Sequence, residues 1–155
     1  MTTRVLFVCL GNICRSPLAE GVFLHQVQAR GLVARYEADS AGTSAYHAGE
    51  PADSRSIAVG QKNGVTVPSI SRKVRAADYD DFDLIVAMDE QNLADLRAGC
   101  PPAHRAELVR MRDYDPRGAG DVPDPYYGGP RGFDDVYEML WRSCEGLLAA
   151  LEARG

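Results

Sequence analysis

Cys9 and Arg15 stand six positions apart, with Leu10, Gly11, Asn12, Ile13 and Cys14 between them and Ser16-Pro17 behind. A thiol and a guanidinium at that spacing could hold a phosphate and attack it. The guanidinium is planar and grips two oxygens at once, which an ammonium cannot do. A sulfur beneath a ring of backbone N–H groups is favoured as the thiolate, its nucleophilic form. With three phosphate oxygens held by amides and Arg15, the phosphorus would lie open to in-line attack by Cys9, giving a phosphocysteine. Either residue alone would read as ordinary, a small buried cysteine or a surface arginine. The chain contains no GxxxxGK[ST] and no GxGxxG, so the nucleotide and dinucleotide phosphate loops find no support.

Such a thiolate needs a partner, because a phenoxide or alkoxide leaves poorly without a proton donor. The loop has no carboxyl group. The best candidate elsewhere is Asp124, in Asp121-Val122-Pro123-Asp124-Pro125-Tyr126-Tyr127-Gly128-Gly129-Pro130. Prolines on both sides make its backbone stiff and non-helical. Tyr126 and Tyr127 would lower the local dielectric, favouring the protonated acid, and could wall a slot for a flat ring. Residues 112–132 show neither helical nor strand periodicity. A loop of that length in a compact domain is usually functional or disordered, and Tyr-Tyr argues against disorder.

The elements that must position these groups follow from the apolar pattern. Val5–Val8 is a short apolar run whose length, valines and trailing Gly-Asn favour a strand over 4–9, buried on both faces. A helix is expected over 17–30, with Ser16 as N-cap, Pro17 at its first position and Leu18, Ala19, Val22 and Phe23 on its apolar face. The loop between them joins a strand's carboxyl end to a helix N-terminus, where anions bind. Gly11 would supply a positive φ or a close approach. Further strands are expected over 36–41, 83–87 and 106–111. A helix over 53–63 ends at Asn63-Gly64, and a short helix capped by Asp89 carries Leu93 and Leu96. Phe133, Val136, Tyr137, Leu140, Trp141, Cys144, Leu147, Leu148 and Leu151 step at helical intervals and read as core. The alternation predicts an α/β fold: a three-layer sandwich of a four-stranded parallel sheet with helices on both faces and the phosphate loop after strand 1. The strands' carboxyl ends would gather Cys9, Ser40 and Asp89 at one edge, which the loop holding Asp124 must also reach.

Val8-Cys9-Leu10-Gly11-Asn12-Ile13-Cys14-Arg15-Ser16-Pro17, with Asp124-Pro125-Tyr126-Tyr127 late in the chain, resembles the low-molecular-weight protein tyrosine phosphatases. The resemblance also takes in Asp39-Ser40-Ala41-Gly42-Thr43, Met88-Asp89-Glu90 and the C-terminal helix. It implies a phosphotyrosine phosphatase with Cys9 as nucleophile, Arg15 on the phosphate, and Asp124 first as proton donor and then as activator of water. It implies that Leu10, Gly11, Asn12, Ile13, Cys14 and Ser16 bind the phosphate, with the Ser16 hydroxyl stabilising the thiolate. Asn12 and Ser40 match a pair that holds the loop shape, and Asp89 matches a support from a neighbouring strand end. Tyr46 would wall the substrate slot opposite Tyr126 and Tyr127. Cys14 matches a second cysteine that forms a reversible disulfide with the nucleophile. One departure is Ser69, which stands where many relatives carry a histidine bonded to the loop asparagine. An arsenate reductase on the same scaffold would need further redox cysteines, and Cys100 alone is placed for that role. A phosphotyrosine-binding module without turnover would have no use for Asp124.

The 155 residues suit a single domain over 1–155, and the net charge of −5 argues against nucleic-acid binding. No run of 18 apolar residues and no leader pattern is present, so a cytoplasmic protein without membrane association is expected. Cys9, Cys14, Cys100 and Cys144 follow no zinc spacing, and no metal or cofactor is expected. The expected partner is a tyrosine-phosphorylated protein, a cognate tyrosine kinase being one candidate, met by a monomer or weak dimer.

Overall fold

The computed structural model describes residues 2–67, 69–126, 128–129 and 131–154. The element order is β1 (Thr3–Cys9), α1 (Arg15–Ala29), β2 (Tyr36–Gly42), α2 (Ser54–Lys62), α3 (Asp78–Asp81), β3 (Leu84–Ala87), α4 (Glu90–Gly99), β4 (Glu107–Arg110) and α5 (Arg131–Arg154). The strands form one four-stranded sheet in the order β2-β1-β3-β4, and every pairing is parallel. Among the described residues no helix is long and apolar enough to cross a membrane.

The continuous apolar run of β1 is buried on both faces because successive side chains point oppositely. Val5, Phe7 and Cys9 join α1, α2 and α5 on one face, while Leu6 and Val8 join α3 and α4 on the other. Strand β3 splits the same way, with Leu84 and Val86 on the first face and Ile85 and Ala87 on the second. The helical stripe of α5 lies on the first face, with Val136, Leu140, Cys144 and Leu147 buried. Trp141 departs from the sequence expectation: it is only partly buried, at the edge of that stripe, with its ring 5.9 Å from His25. The four-residue α3 has too few turns to leave a periodic signal, and the sequence reading missed it.

The chain leaves β1 toward β2 on one side and returns through β3 and β4 on the other. The strand order therefore reverses between β1 and β3, and in open parallel sheets a ligand crevice opens at that point. Cys9 ends β1 there, and Met88-Asp89 follows β3.

Candidate active site

The loop from Cys9 to Arg15 is shaped from outside. Its carbonyls are taken up by surrounding groups: Cys9 O by Thr43 N at 2.9 Å, Leu10 O by Ser44 N at 3.0 Å, and Ile13 O by Asp53 N at 2.8 Å. The Ser71 hydroxyl donates to Gly11 O at 2.9 Å and the Ser56 hydroxyl to Cys14 O at 2.9 Å. In a trans peptide the N–H points opposite its own carbonyl. The N–H groups of Leu10, Gly11, Asn12, Cys14 and Arg15 are thereby turned to the inside of the loop. The left-handed residue is Asn12, at φ 56°, and not Gly11. Asparagine tolerates that region because its short side chain bonds locally. Gly11 lies close to the neighbouring loop: a Cβ there would meet His47 Cδ2 at 3.0 Å, so a side chain would have to push that ring aside.

Cys9 lies buried at the loop's floor, with its Sγ 3.0 Å from Ser16 Oγ. Asn12 Nδ2 donates to that same hydroxyl oxygen at 2.8 Å. Ser16 is therefore not the helix cap. Helix α1 begins at Arg15, one residue before it, and the Ser16 side chain is turned to the sulfur. Pro17 still sits in the first turn, where N–H groups have no intrahelical partner. Asn12 Oδ1 accepts from Arg72 N at 3.0 Å, so a backbone amide, and not Ser69, holds the far side of that carboxamide. The Ser40 hydroxyl donates to Glu20 Oε1 at 2.6 Å rather than to Asn12. Glu20 is buried in α1, and that burial, opposed by the Ser40 hydroxyl, pushes its carboxyl up to about 7.

Arg15 is buried, and its Nη1 donates to Asp89 Oδ2 at 2.7 Å and to Val122 O at 2.9 Å. Burial alone would lower the guanidinium, but the charges of Cys9, Asp89 and Asp124 and the Asp89 hydrogen bond raise it, so it stays cationic. Asp89 also caps α4, accepting from Asn92 N at 2.7 Å. Val122 is fully buried and donates its N–H to Met88 O at 2.8 Å. The loop carrying Asp124 is therefore pinned to the end of β3 and to Arg15 together. Asp124 Oδ2 lies 3.8 Å from Arg15 Nη2, and Oδ1 accepts from Tyr126 N at 3.1 Å. The side chain of Asp124 is 41% exposed, more open to water than the sequence suggested.

Cys9, Arg15 and Asp124 face one cavity of about 400 Å³, walled by Leu10, Tyr46 and Tyr126. Tyr46 is 86% exposed, its ring edge-on to His47 at 5.2 Å. Leu10 and Tyr126 also show large apolar surface. Tyr127 lies outside the described residues. Cys14 is buried, and burial, with the charges of Asp53, Cys9 and Asp124, pushes its thiol up to about 12. Cys14 therefore stays a thiol at neutral pH. All the cysteines are free thiols, and among the described residues no cluster of His, Cys, Asp or Glu could hold a metal ion.

Several contributors were not found from the sequence. Ser56, Ser71, Asp53 and Arg72 reach the loop from 40 to 60 positions away in the chain. Nothing local marks a serine as the partner of a distant carbonyl. Val122 did leave a signal: it is the one apolar residue between Asp121 and Pro123, in a polar segment.

A family model described as low molecular weight phosphotyrosine protein phosphatase matches residues 4–155. A low molecular weight protein-tyrosine-phosphatase of Streptomyces coelicolor is 48% identical over 155 residues, covering 97% of this chain and 94% of that one. Among solved structures, the protein tyrosine phosphatase of Entamoeba histolytica with Hepes in its active site has a TM-score of 0.94 at 45% identity and covers 98% of both chains. A Drosophila arginine phosphatase has a TM-score of 0.88 at 33% identity, covering 95% of this chain and 96% of that one.

Proposed function

The chain belongs to the low molecular weight phosphotyrosine protein phosphatase family, and from that premise we propose that it hydrolyses phosphotyrosine through a cysteinyl-phosphate intermediate. The substrate phosphate sits in the loop, held by the inward N–H groups and the Arg15 fork. The Cys9 thiolate attacks phosphorus, forming an S–P bond as the P–O bond to the phenol breaks. Asp124 gives its proton to the departing phenolate. Water then attacks the phosphocysteine, the Asp124 carboxylate takes the water proton, and the S–P bond breaks to release inorganic phosphate and the thiolate. The Ser16 hydroxyl, 3.0 Å from Sγ, stabilises that thiolate before the first step and as the leaving group of the second.

The observation that carries this reading is that a buried sulfur and a buried guanidinium from one loop and an exposed carboxylate from a remote segment face one cavity. The flat substrate ring fits between Tyr46 and Tyr126. With phosphorus at the floor, Leu10, Tyr46 and Tyr126 give an aryl group apolar walls to rest on, which a seryl phosphate has no ring to use. The partner is accordingly a tyrosine-phosphorylated protein.

Cys14 serves as the resolving thiol. A peroxide oxidises the Cys9 thiolate to the sulfenic acid, and Cys14 condenses with it, forming the disulfide and releasing water. Burial of Cys14 as a thiol keeps it from competing for phosphate.

The test is turnover on phosphotyrosine, phosphoserine and phosphoarginine peptides. Phosphotyrosine is expected to be hydrolysed by the wild type, Cys9→Ser to be inactive, and Asp124→Ala to lose about 10²–10⁴-fold in kcat/KM. Preference for phosphoarginine, or full activity in Cys9→Ser, overturns the reading.

A further inference from the structure

Arg55 in α2 lies outside the catalytic set, yet its guanidinium joins both halves of the site. Asp53 N donates to Ile13 O of the phosphate loop at 2.8 Å. The Asp53 carboxylate accepts from Arg55 Nε and Nη2, each at 3.0 Å, while capping α2 through Arg55 N at 2.9 Å. The remaining guanidinium nitrogen, Nη1, donates to Tyr126 O at 3.1 Å. The guanidinium carbon also stands 5.2 Å from the centre of the Tyr126 ring and 4.8 Å from that of Phe133. Tyr126 N in turn donates to Asp124 Oδ1, which leaves Oδ2 turned to Arg15.

Each link has a distinct physical role. The carboxylate–guanidinium fork fixes the plane of Arg55, since both groups are planar and paired at two points. A fixed plane places Nη1 on the Tyr126 carbonyl and presents the face of the cation to the rings. Phe133 is buried at the start of α5, so the far side of this sandwich belongs to the core. The segment 123–130 is rich in proline and glycine, and its described residues belong to no helix or strand. Val122 ties the chain before the acid to Arg15 and Met88, and Tyr126 ties it after the acid to Arg55.

We infer that Arg55 is a positioning residue for the general acid: by gripping the carbonyl and ring of Tyr126 from a base tied to the phosphate loop, it sets which oxygen of Asp124 faces the substrate leaving group. This rests on the assignment of Asp124 as proton donor. Loss of Arg55 would leave binding and sulfur attack intact and weaken only proton delivery. A misplaced acid matters in proportion to how much the leaving group needs a proton.

The experiment compares kcat/KM for phenyl phosphate, whose phenolate leaves poorly, and p-nitrophenyl phosphate, whose phenolate leaves more readily. Wild type, Arg55→Ala, Arg55→Lys, Asp124→Asn and the Arg55→Ala/Asp124→Asn double variant are assayed, with thermal unfolding recorded for each. Arg55→Ala is expected to lose about tenfold on phenyl phosphate and under about twofold on p-nitrophenyl phosphate, with Arg55→Lys between it and wild type. In the Asp124→Asn background, removal of Arg55 is expected to add no further selective loss. An equal loss on both esters, no loss on either, or a selective loss that persists without Asp124 overturns the positioning role. If Asp124→Asn itself shows no selective loss, the acid assignment falls, and the role of Arg55 with it.

Discussion

Glu20 shows how much a single residue under the loop can shape behaviour. Its carboxyl moves from an ordinary 4.5 up to about 7, chiefly through burial, with the Ser40 hydroxyl and Arg72 opposing and Asp39 adding to the rise. The sign follows from which state releases its proton first. Between pH 4.5 and 7 the unfolded chain has lost this proton while the folded chain still holds it. Stability therefore falls as pH rises through that window and levels off above it, by something on the order of 3 kcal/mol at most. Glu20→Gln keeps the shape and removes the titration. Denaturant unfolding of this variant is expected to show a flatter pH dependence across the window and greater relative stability above it. Parallel curves for the two proteins would contradict the account.

At the scale of elements, the docking of α5 against the 3-10 turn Met111–Tyr114 sets where the acid loop begins. Gly146 makes that approach possible: a Cβ there would meet the Tyr114 carbonyl oxygen at 2.0 Å. In an open helix Gly→Ala gains about 1 kcal/mol. Here the obstacle is backbone and cannot rotate away, so Gly146→Ala is expected to cost about 1–3 kcal/mol. Urea denaturation checks it, and a stabilised variant would refute the packing. The strands and long helices were legible because burial on two faces leaves apolar runs and amphipathic burial leaves a stripe. The ends of elements were less so. Ser16 has the residue type of a cap, but the sulfur seven residues earlier claims its hydroxyl. Gly11 has the type for a positive φ, but Asn12 adopts it. In both places a contact through space overrides a local preference, and local pattern carries no record of it.

For the whole molecule, the strand order β2-β1-β3-β4 gathers the loop after β1, Asp89 after β3 and the Asp124 segment at one crevice. Cys9 and Arg15 were readable because a contiguous loop holds them, and Asp124 because prolines on both sides mark it. Arg55, Ser56 and Ser71 were not, since their roles exist only once the sheet has brought remote segments together. The same crevice makes one claim central: phosphate passes through a bond to Cys9 sulfur. The most direct measurement mixes the wild-type protein with a phosphotyrosine peptide, denatures it rapidly during turnover, and maps the phosphoryl group by mass spectrometry of its fragments. One phosphoryl group is expected on the fragment holding Cys9 and none in Cys9→Ser. Turnover with no phosphoryl on Cys9, or with the group on another side chain, would contradict it.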